Sequence, residues 1–433
     1  MTTRYLKQLN RTYENQTKLM EQSDGAKLHR PSDDPVGYSK YLRYSISYGE
    51  NNQYQSNVKT AISWMKNSDS TLVDITNCFM TVVEKANQAQ GTNTDSDMRA
   101  IAKEMLVMAQ QAVADANTQI NGRYLFSGQR DLVQPYNISY DKKENRGLTK
   151  TLDDKQADFF NDTTQSGDLR QMLVMKDEDT GDKYFLNTVT GNVYTEAFVE
   201  EGYKEKISAG QATVAGGDEA GRISGWGGST DVAKYFNEYG IINDAGKSTS
   251  FTLTSGGDLK LKFETVEQYV VTYQGDRKQF SMVKENGAVQ PATDTVNASG
   301  VEIAGSSIFD NADSGNPYSG ANAFNDILTV VAMCERGEKE STRWMSSDGK
   351  TLANNAYNTV LNAESKLAAR QQVYSDCKDM LVTQNETILG DITDVHSTDV
   401  AKLAVDLMTA QTIYNLSLSV GGRILPPTLA DYL

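Results

Sequence analysis

Histidine and cysteine are nearly missing from this chain. Among 433 residues there are two histidines and three cysteines, and proline is scarce too, at seven. Each shortage closes off a class of chemistry. Cys78, Cys334 and Cys377 lie far apart, which fits neither a disulfide framework nor a cysteine metal site. With only His29 and His396 available, a Ser-His-Asp site would have to recruit one of them, and both sit beside helix junctions. No HExxH, P-loop or GxSxG motif is present. No apolar run approaches the roughly 18–20 residues needed to span a bilayer. The polar N-terminus, MTTRYLKQLNRTYENQ, lacks the basic-then-apolar layout of a secretory signal peptide. Positive charge is also short: 57 acids against 42 bases leave a net charge of −15. That balance argues against nucleic acid, or insertion into an anionic membrane, as the main business of the chain. By these features alone the protein reads as intracellular.

The remaining chemical candidates are weak. DEDTGD (Asp177 to Asp182) resembles a calcium loop only in its acids. Its glycine is fifth rather than sixth and no glutamate closes the loop, so it reads as a solvated hairpin turn. GWGGST lacks the lysine and the glycine order of a phosphate cradle. Met65, Met98, Met105 and Met108 fall on helical seams, where core packing is expected. The sequence therefore offers no catalytic residue, no cofactor-binding residue and no metal site.

What the chain has in abundance is heptad pattern. Val58, Ala61, Met65, Ser68, Leu72, Ile75, Phe79, Val82, Ala86 and Ala89 keep strict 3-4 spacing, one seam of a long helix that packs in a coiled-coil manner. The seam stops at the turn-rich QGTNTDSD and resumes at Met98, Ile101, Met105, Met108 and Ala112. Two long helices with a short connection predict an antiparallel hairpin. At the far end Ala353, Ala356, Val360, Ala363, Leu367, Arg370, Tyr374, Cys377, Leu381, Gln384 and Ile388 repeat the spacing. This seam is small and polar, suited to a bundle. Shorter stripes flank the long ones: Leu6, Leu9, Tyr13, Gln16 and Met20 at the start, and Leu403, Leu407, Ala410, Tyr414 and Ser417 near the end. ANAFNDILTVVAMCER (Ala321 to Arg336) reads as one more amphipathic helix.

Between the first stripe and the first long seam stands HRPSDDPVG (His29 to Gly37). Pro31 disfavours helix at Arg30. Asp34 suits the N-cap and Pro35 the first helical position, so a new helix starts there. Asp33 and Asp34 also suit the positive end of its dipole. From Tyr136 to Tyr318 the character changes to Gly, Asp and Thr with period-two apolar spacing. QMLVMKDEDTGDKYFLN reads as two strands about an acidic turn, QYVVTYQGDRKQFSMV likewise about QGDRK, and GRISGWGGST as a glycine-rich loop. The fold class is α plus β and multidomain: a long coiled-coil-like helical bundle made by both chain ends, with a β-rich inserted domain large enough to stand alone.

Three stretches carry a family likeness. SDGAKLHRPSDDPVG (Ser23 to Gly37) resembles the N-terminal signature of the flagellin-like axial proteins of bacteria. NGRYLFSGQRDLVQPY (Asn121 to Tyr136) resembles the point where their N-terminal helices end and a variable insert begins. LSLSVGGRILPPTLADYL (Leu416 to Leu433) is most similar to the tail of the hook-associated protein 3 family. The likeness covers roughly 1–136 and 321–433. SDGAKLHR departs from a common Thr-Gly-Lys stretch, and Pro426–Pro427 doubles the usual single proline.

The resemblance implies a structural adaptor at the hook–filament junction, with a flagellin-type filament subunit, or an adhesin carried by the insert, as the other readings. It implies that residues 1–34 and 396–433 form an inner helical layer, 35–135 and 319–395 a helical rod, and 136–318 a surface insert. Pro31, Asp33, Asp34 and Pro35 would mark the turn between layers, opposite a return near Asp391 to Thr398. The expected assembly interface is Leu6, Leu9, Tyr13 and Met20 with Leu403, Leu407 and Tyr414, plus Leu425, Leu429 and Tyr432 of the tail. The implied partners are further copies in a ring-like layer, a neighbouring hook-associated protein and flagellin, and an export chaperone. Export through the flagellar channel would need no signal peptide, which reverses the intracellular reading.

Overall fold

The computed structural model describes residues 2–91, 93–139, 145–160, 171–187, 192–210, 222–224, 249–253, 258–280, 295–305, 320–337 and 339–424. The chain divides into two compact units, Met1–Thr60 with Tyr374–Leu433, and Ala61–Val373. The helices are α1 (Thr2–Glu21), α2 (Pro35–Gln88), α3 (Asp95–Ala116), α4 (Asp154–Phe160), α5 (Tyr203–Ser208), α6 (Gly300–Ala304), α7 (Asn322–Arg336), α8 (Lys339–Trp344), α9 (Lys350–His396) and α10 (Val400–Ile424). Among the described residues, no helix is long and apolar enough to cross a membrane.

In the larger unit the heptad reading translates directly into packing. Every seam position from Val58 to Ala89 is buried, none more than 7% exposed. The seam of α9 is buried from Ala353 to Tyr374. In α3 the seam holds at Met98, Ile101, Met105 and Ala112, while Ala109 takes the buried place beside a half-buried Met108. Thr94 caps α3 in a full capping box with Asp97, so two orphan N–H groups of the helix start are satisfied at once.

The helix expected over Ala321 to Arg336 forms, but it is not amphipathic in its setting. Residues Ala323 to Cys334 of α7 are buried without interruption. Its polar positions are met by the insert. The Asn325 side chain accepts from the Val271 N–H and donates to the Val271 carbonyl, each at 2.9 Å. Gln171 Nε2 donates to Asp326 Oδ2 at 3.1 Å. A helix buried all round is stable only if such groups find partners.

The insert contributes strands β1 (Gln119–Ile120), β2 (Arg123–Tyr124), β3 (Tyr136–Ser139), β4 (Asn145–Gly147), β5 (Thr149–Thr151), β6 (Gln171–Asp177), β7 (Lys183–Leu186), β8 (Val193–Thr195), β9 (Arg222–Ser224), β10 (Thr249–Leu253), β11 (Asp258–Phe263), β12 (Thr265–Glu267) and β13 (Val270–Tyr273). From β6 to β11 each strand pairs antiparallel with the next, and β11 returns to pair with β6 through Leu261 and Asp177, Lys262 and Lys176, Phe263 and Met175. The meander thus closes on itself, which removes its open edges. β5 is added beside β6.

The first hairpin expected, about the acidic turn, is β6–β7. The turn satisfies its own acids: Thr180 Oγ1 donates to Asp177 Oδ2 at 2.8 Å, with Gly181 at positive φ. The second is corrected. β13 pairs with the distant β3, not with the following stretch; Gln279 and Phe280 are not strand, and residues 281–283 lie outside the described ones. The glycine-rich loop is corrected in part as well: Arg222–Ser224 is a strand between β8 and β10, and Trp226 lies outside the described residues.

Tyr273 explains the long-range pairing. Its hydroxyl donates to the Phe126 carbonyl at 2.9 Å and receives the Gly300 N–H at 3.0 Å. A side chain at Gly275 or Gly300 would collide with its ring. Segments remote in sequence are thereby tied to one buried aromatic, a non-local solution that local spacing does not reveal.

Candidate assembly site

The Met1–Thr60 and Tyr374–Leu433 unit is built differently. Asp34 Oδ1 accepts from the N–H groups of Val36 and Gly37 at 3.1 and 3.0 Å, and α2 begins at Pro35, as the capping pattern requires. Asp33 Oδ2 accepts from the N–H groups of His29 and Arg30, and the Arg30 backbone bond chiefly holds its carboxyl below the ordinary value. Asp24 is also held low, by the Ala26 N–H first and then by His29; His29 Nε2 lies 2.9 Å from Asp24 Oδ2.

The return of the chain closes onto this turn. Ala26 and Ser397 form a β-bridge. Lys27 N–H donates to the His396 carbonyl and Thr398 N–H to the Gly25 carbonyl. The His396 ring stacks on Tyr41 at 4.1 Å between centroids. Asp399 then caps α10 through the N–H groups of Ala401 and Lys402. Both histidines of the chain are thus joint residues.

Beyond the joint, α1 lies along α10. Tyr5 Oη donates to the Ser417 carbonyl at 2.6 Å, and the rings of Tyr13 and Tyr414 are 6.0 Å apart. On α10 the inward row is Leu403, Leu407, Ala410, Tyr414 and Ser417, the stripe read from the sequence. On α1 the row is shifted. The half-buried positions are Tyr5, Leu9, Thr12, Gln16 and Leu19. Leu6, Tyr13 and Met20 stand 50, 57 and 57% exposed. Leu425, Leu429 and Tyr432 lie outside the described residues. Pro31, Asp33, Asp34 and Pro35 are exposed on the joint.

The pair therefore uses one seam internally and leaves a second apolar stripe uncovered. α10 adds Val405, Met408, Leu416 and Val420, all exposed. Two grooves run between the helices. One of about 320 Å³ is lined by Tyr5, Leu9, Ile413, Leu416 and Val420, and one of about 420 Å³ by Leu19, Ala410 and Ile413 among polar neighbours. Burying one large apolar side chain is worth about 1.5–3 kcal/mol, so an uncovered stripe of this extent is a strong driving force for association.

Among the described residues no group of three or more His, Cys, Asp or Glu side chains is placed to hold a metal ion. All three cysteines are free thiols. Burial pushes the Cys334 thiol up to about 12, and its Sγ–H donates to the Met98 carbonyl; such a thiol is inert.

Residues 1–131 match the bacterial flagellin N-terminal helical region. The chain is 33% identical over 122 residues to flagellar hook-associated protein 3 of Salmonella typhimurium, a stretch that is 28% of this chain and 38% of that protein. It is 28% identical over 178 residues to flagellar hook-associated protein 3 of Escherichia coli, covering 41% and 51% of the two. The match thus spans about half or less of these relatives. A flagellar junction protein from Legionella pneumophila aligns over 77% of this chain and 98% of its own, at 13% identity and a TM-score of 0.34, too slight a likeness to carry an argument. The likeness read from the N-terminal motifs is thus matched by a family model: the first 131 residues are similar to the bacterial flagellin N-terminal helical region.

Proposed function

We propose that this chain is a structural adaptor of the bacterial flagellum. It polymerises at the hook–filament junction and connects the hook-associated region to the flagellin filament. Its work is mechanical. Copies pack side by side in a ring-like layer through the exposed Leu6, Tyr13 and Met20, with Leu9, Leu403, Leu407 and Tyr414 holding each α1–α10 pair together beneath them and the tail residues Leu425, Leu429 and Tyr432 adding to the contact. A neighbouring hook-associated protein lies on one side and flagellin on the other. The protein is extracellular, held by an export chaperone until it leaves through the flagellar channel.

The supporting observation is the uncovered stripe. Helices of this length, with a half-buried seam, are marginal in isolation. The same helices covered by neighbours on the Leu6–Tyr13–Met20 face would bury what they now expose. Antibody to the insert, applied to intact cells, tests the reading. A single spot at the base of each filament is expected; label along the whole filament would assign the chain to the filament itself.

A further inference from the structure

Between the insert and the helices that follow it lies a cleft of about 260 Å³ that assembly does not explain, lined by β5–β7 residues, the end of α7, α8 and the turn after it. Two five-residue π-helical turns frame it, Phe198–Gly202 and Met345–Gly349. π turns cost helix geometry and recur at functional sites. Each ends in a glycine that an aromatic ring requires. A Cβ on Gly202 would meet Phe198, and one on Gly349 would meet Trp344 at 2.7 Å. The two turns deliver Glu200 and Asp348 to one cation: Lys150 Nζ lies 3.3 Å from the first and 3.2 Å from the second. Trp344 has its back against the core cluster of Phe159, Phe160, Phe198 and Met333 and also lines the cleft.

The charges select the ligand. Lys150 is committed to Glu200 and Asp348, and Lys176 to Glu264 at 2.9 Å. Lys183, Arg343 and Glu196 also line the cleft and have no ion pair among the described residues. With Arg336, the wall carries five cations interleaved with four carboxylates, a balance that suits a ligand with one negative charge and several hydroxyl donors better than a compact multivalent anion such as phosphate. A hydrocarbon would leave the polar wall unpaired. A polyhydroxylated ring with one carboxylate satisfies both. Its hydroxyls donate to Glu196, Glu264 and Asp348. Its carboxylate pairs with Arg343 and Lys183. Its apolar C–H face lies on the negative face of the Trp344 ring. The volume, just under the usual range for small-molecule sites, admits one such ring.

We infer that this cleft binds a uronic acid residue, with Trp344 as its platform and Arg343 and Lys183 as its carboxylate partners. The site is built jointly by the insert and the helices that follow it, and is independent of the junction role.

Ligand-observed NMR on the full chain with sodium galacturonate, a galacturonate trimer, galactose and sodium acetate tests this. Tryptophan fluorescence, read as the difference from Trp344→Phe, gives a second readout. Saturable galacturonate binding is expected, weakened about tenfold or more in Arg343→Ala and in Lys183→Ala. Both residues are exposed, so neither variant threatens the fold. Tighter binding of the trimer would point to a polysaccharide and equal binding to the free acid, and either supports the site. Galactose or acetate binding as well as galacturonate, absence of saturable binding, or an Arg343→Ala variant indistinguishable from the parent would overturn it.

Discussion

The same 3-4 spacing is written into both units of the molecule, and the two fold it differently. In the Ala61–Val373 unit the seam of α2 is buried, and Phe79 meets Phe324 edge-on at 5.5 Å between ring centroids. In the other unit the α1 seam is only half covered, and three of its apolar residues point elsewhere. A heptad declares that a helix has a seam; it does not declare whether the partner lies in the same chain. The core unit finds its partners within the chain. The terminal unit has one helix for each helix and a stripe to spare.

The sharpest way to break this contrast is to remove the insert. Replacing residues 140–316 by a short Gly-Ser bridge is harmless if the insert is merely carried by the rod, as the sequence pattern suggests. The contacts say otherwise. Asn325 loses Val271 and Asp326 loses Gln171. The buried Arg370 loses Thr295 and the Glu302 carboxylate at 2.7 Å. Stranding one buried charge alone costs about 3–5 kcal/mol. The deletion is therefore expected to abolish cooperative melting of the Ala61–Val373 helices. A cooperative helical transition at the parent temperature, followed by circular dichroism, would show that the insert is separable.

Next in size is a pair of substitutions. Phe79→Ala should destabilise the free chain by about 3–5 kcal/mol, the usual cost of emptying a buried aromatic site. Leu6→Ala, at an exposed position, should change it by no more than about 0.5 kcal/mol, yet weaken assembly. Denaturant unfolding and sedimentation of assembled material measure the two effects. Equal destabilisation by both substitutions would erase the distinction between an internal and an external seam.

The limits of the sequence follow from the same physics. Helix starts are local, so the Asp34–Pro35 start and the seam from Val58 to Ala89 were legible residue by residue. Strand pairing is not local. Nothing near Val270–Tyr273 announces Tyr136–Ser139 as its partner, because the tie is Tyr273 and the glycines around it. The internal α1–α10 seam follows the expected stripe on α10 and lies partly one face off on α1. Leu9 and Gln16 stay in the seam, but Leu6, Tyr13 and Met20, a more apolar set than Tyr5, Thr12 and Leu19, give way to them. The paired helix prefers the more polar row and leaves the greasier one outside. The cleft at Lys150 carries no sequence signal, since its residues come from β5, β6, β7, α7, α8 and several separate turns.

Hydrogen exchange should sharpen the comparison further. In the free chain, residues 2–30 and 400–424 are expected to exchange quickly, since a half-buried pair of helices opens at small cost. Residues 58–89 should be protected throughout. Assembly should slow the ends alone, as in folding coupled to binding. Strong protection of both ends in the free chain would make the terminal pair an internal core and remove the main physical support for the adaptor mechanism.

The smallest effect expected is also the most selective, and it concerns pH. Asp24 and Asp33 have folded values below the unfolded 3.8. A lowered carboxyl contributes stability that is present above its unfolded value and lost as pH falls through the folded one. The joint should therefore loosen below about pH 4. Asp97, in the capping box of α3, shares this direction. Most shifted groups of the Ala61–Val373 unit run the other way. Burial raises Tyr273 and Cys334, the latter to about 12, and Asp348 as well. A raised value contributes stability at low pH that is lost as pH climbs through the folded value, so acid spares these groups. The two histidines make the test direct, because both belong to the joint: His29 pairs with Asp24 and His396 stacks on Tyr41. Their ring signals in NMR should move to unfolded positions as pH falls below about 4. The methyl signals of the buried Met65 and Met105 should stay native over that interval. Loss of the methionine signals first, or together with the histidines, would mean that the joint and the core open as one, and the two halves of the comparison would collapse into a single folding unit.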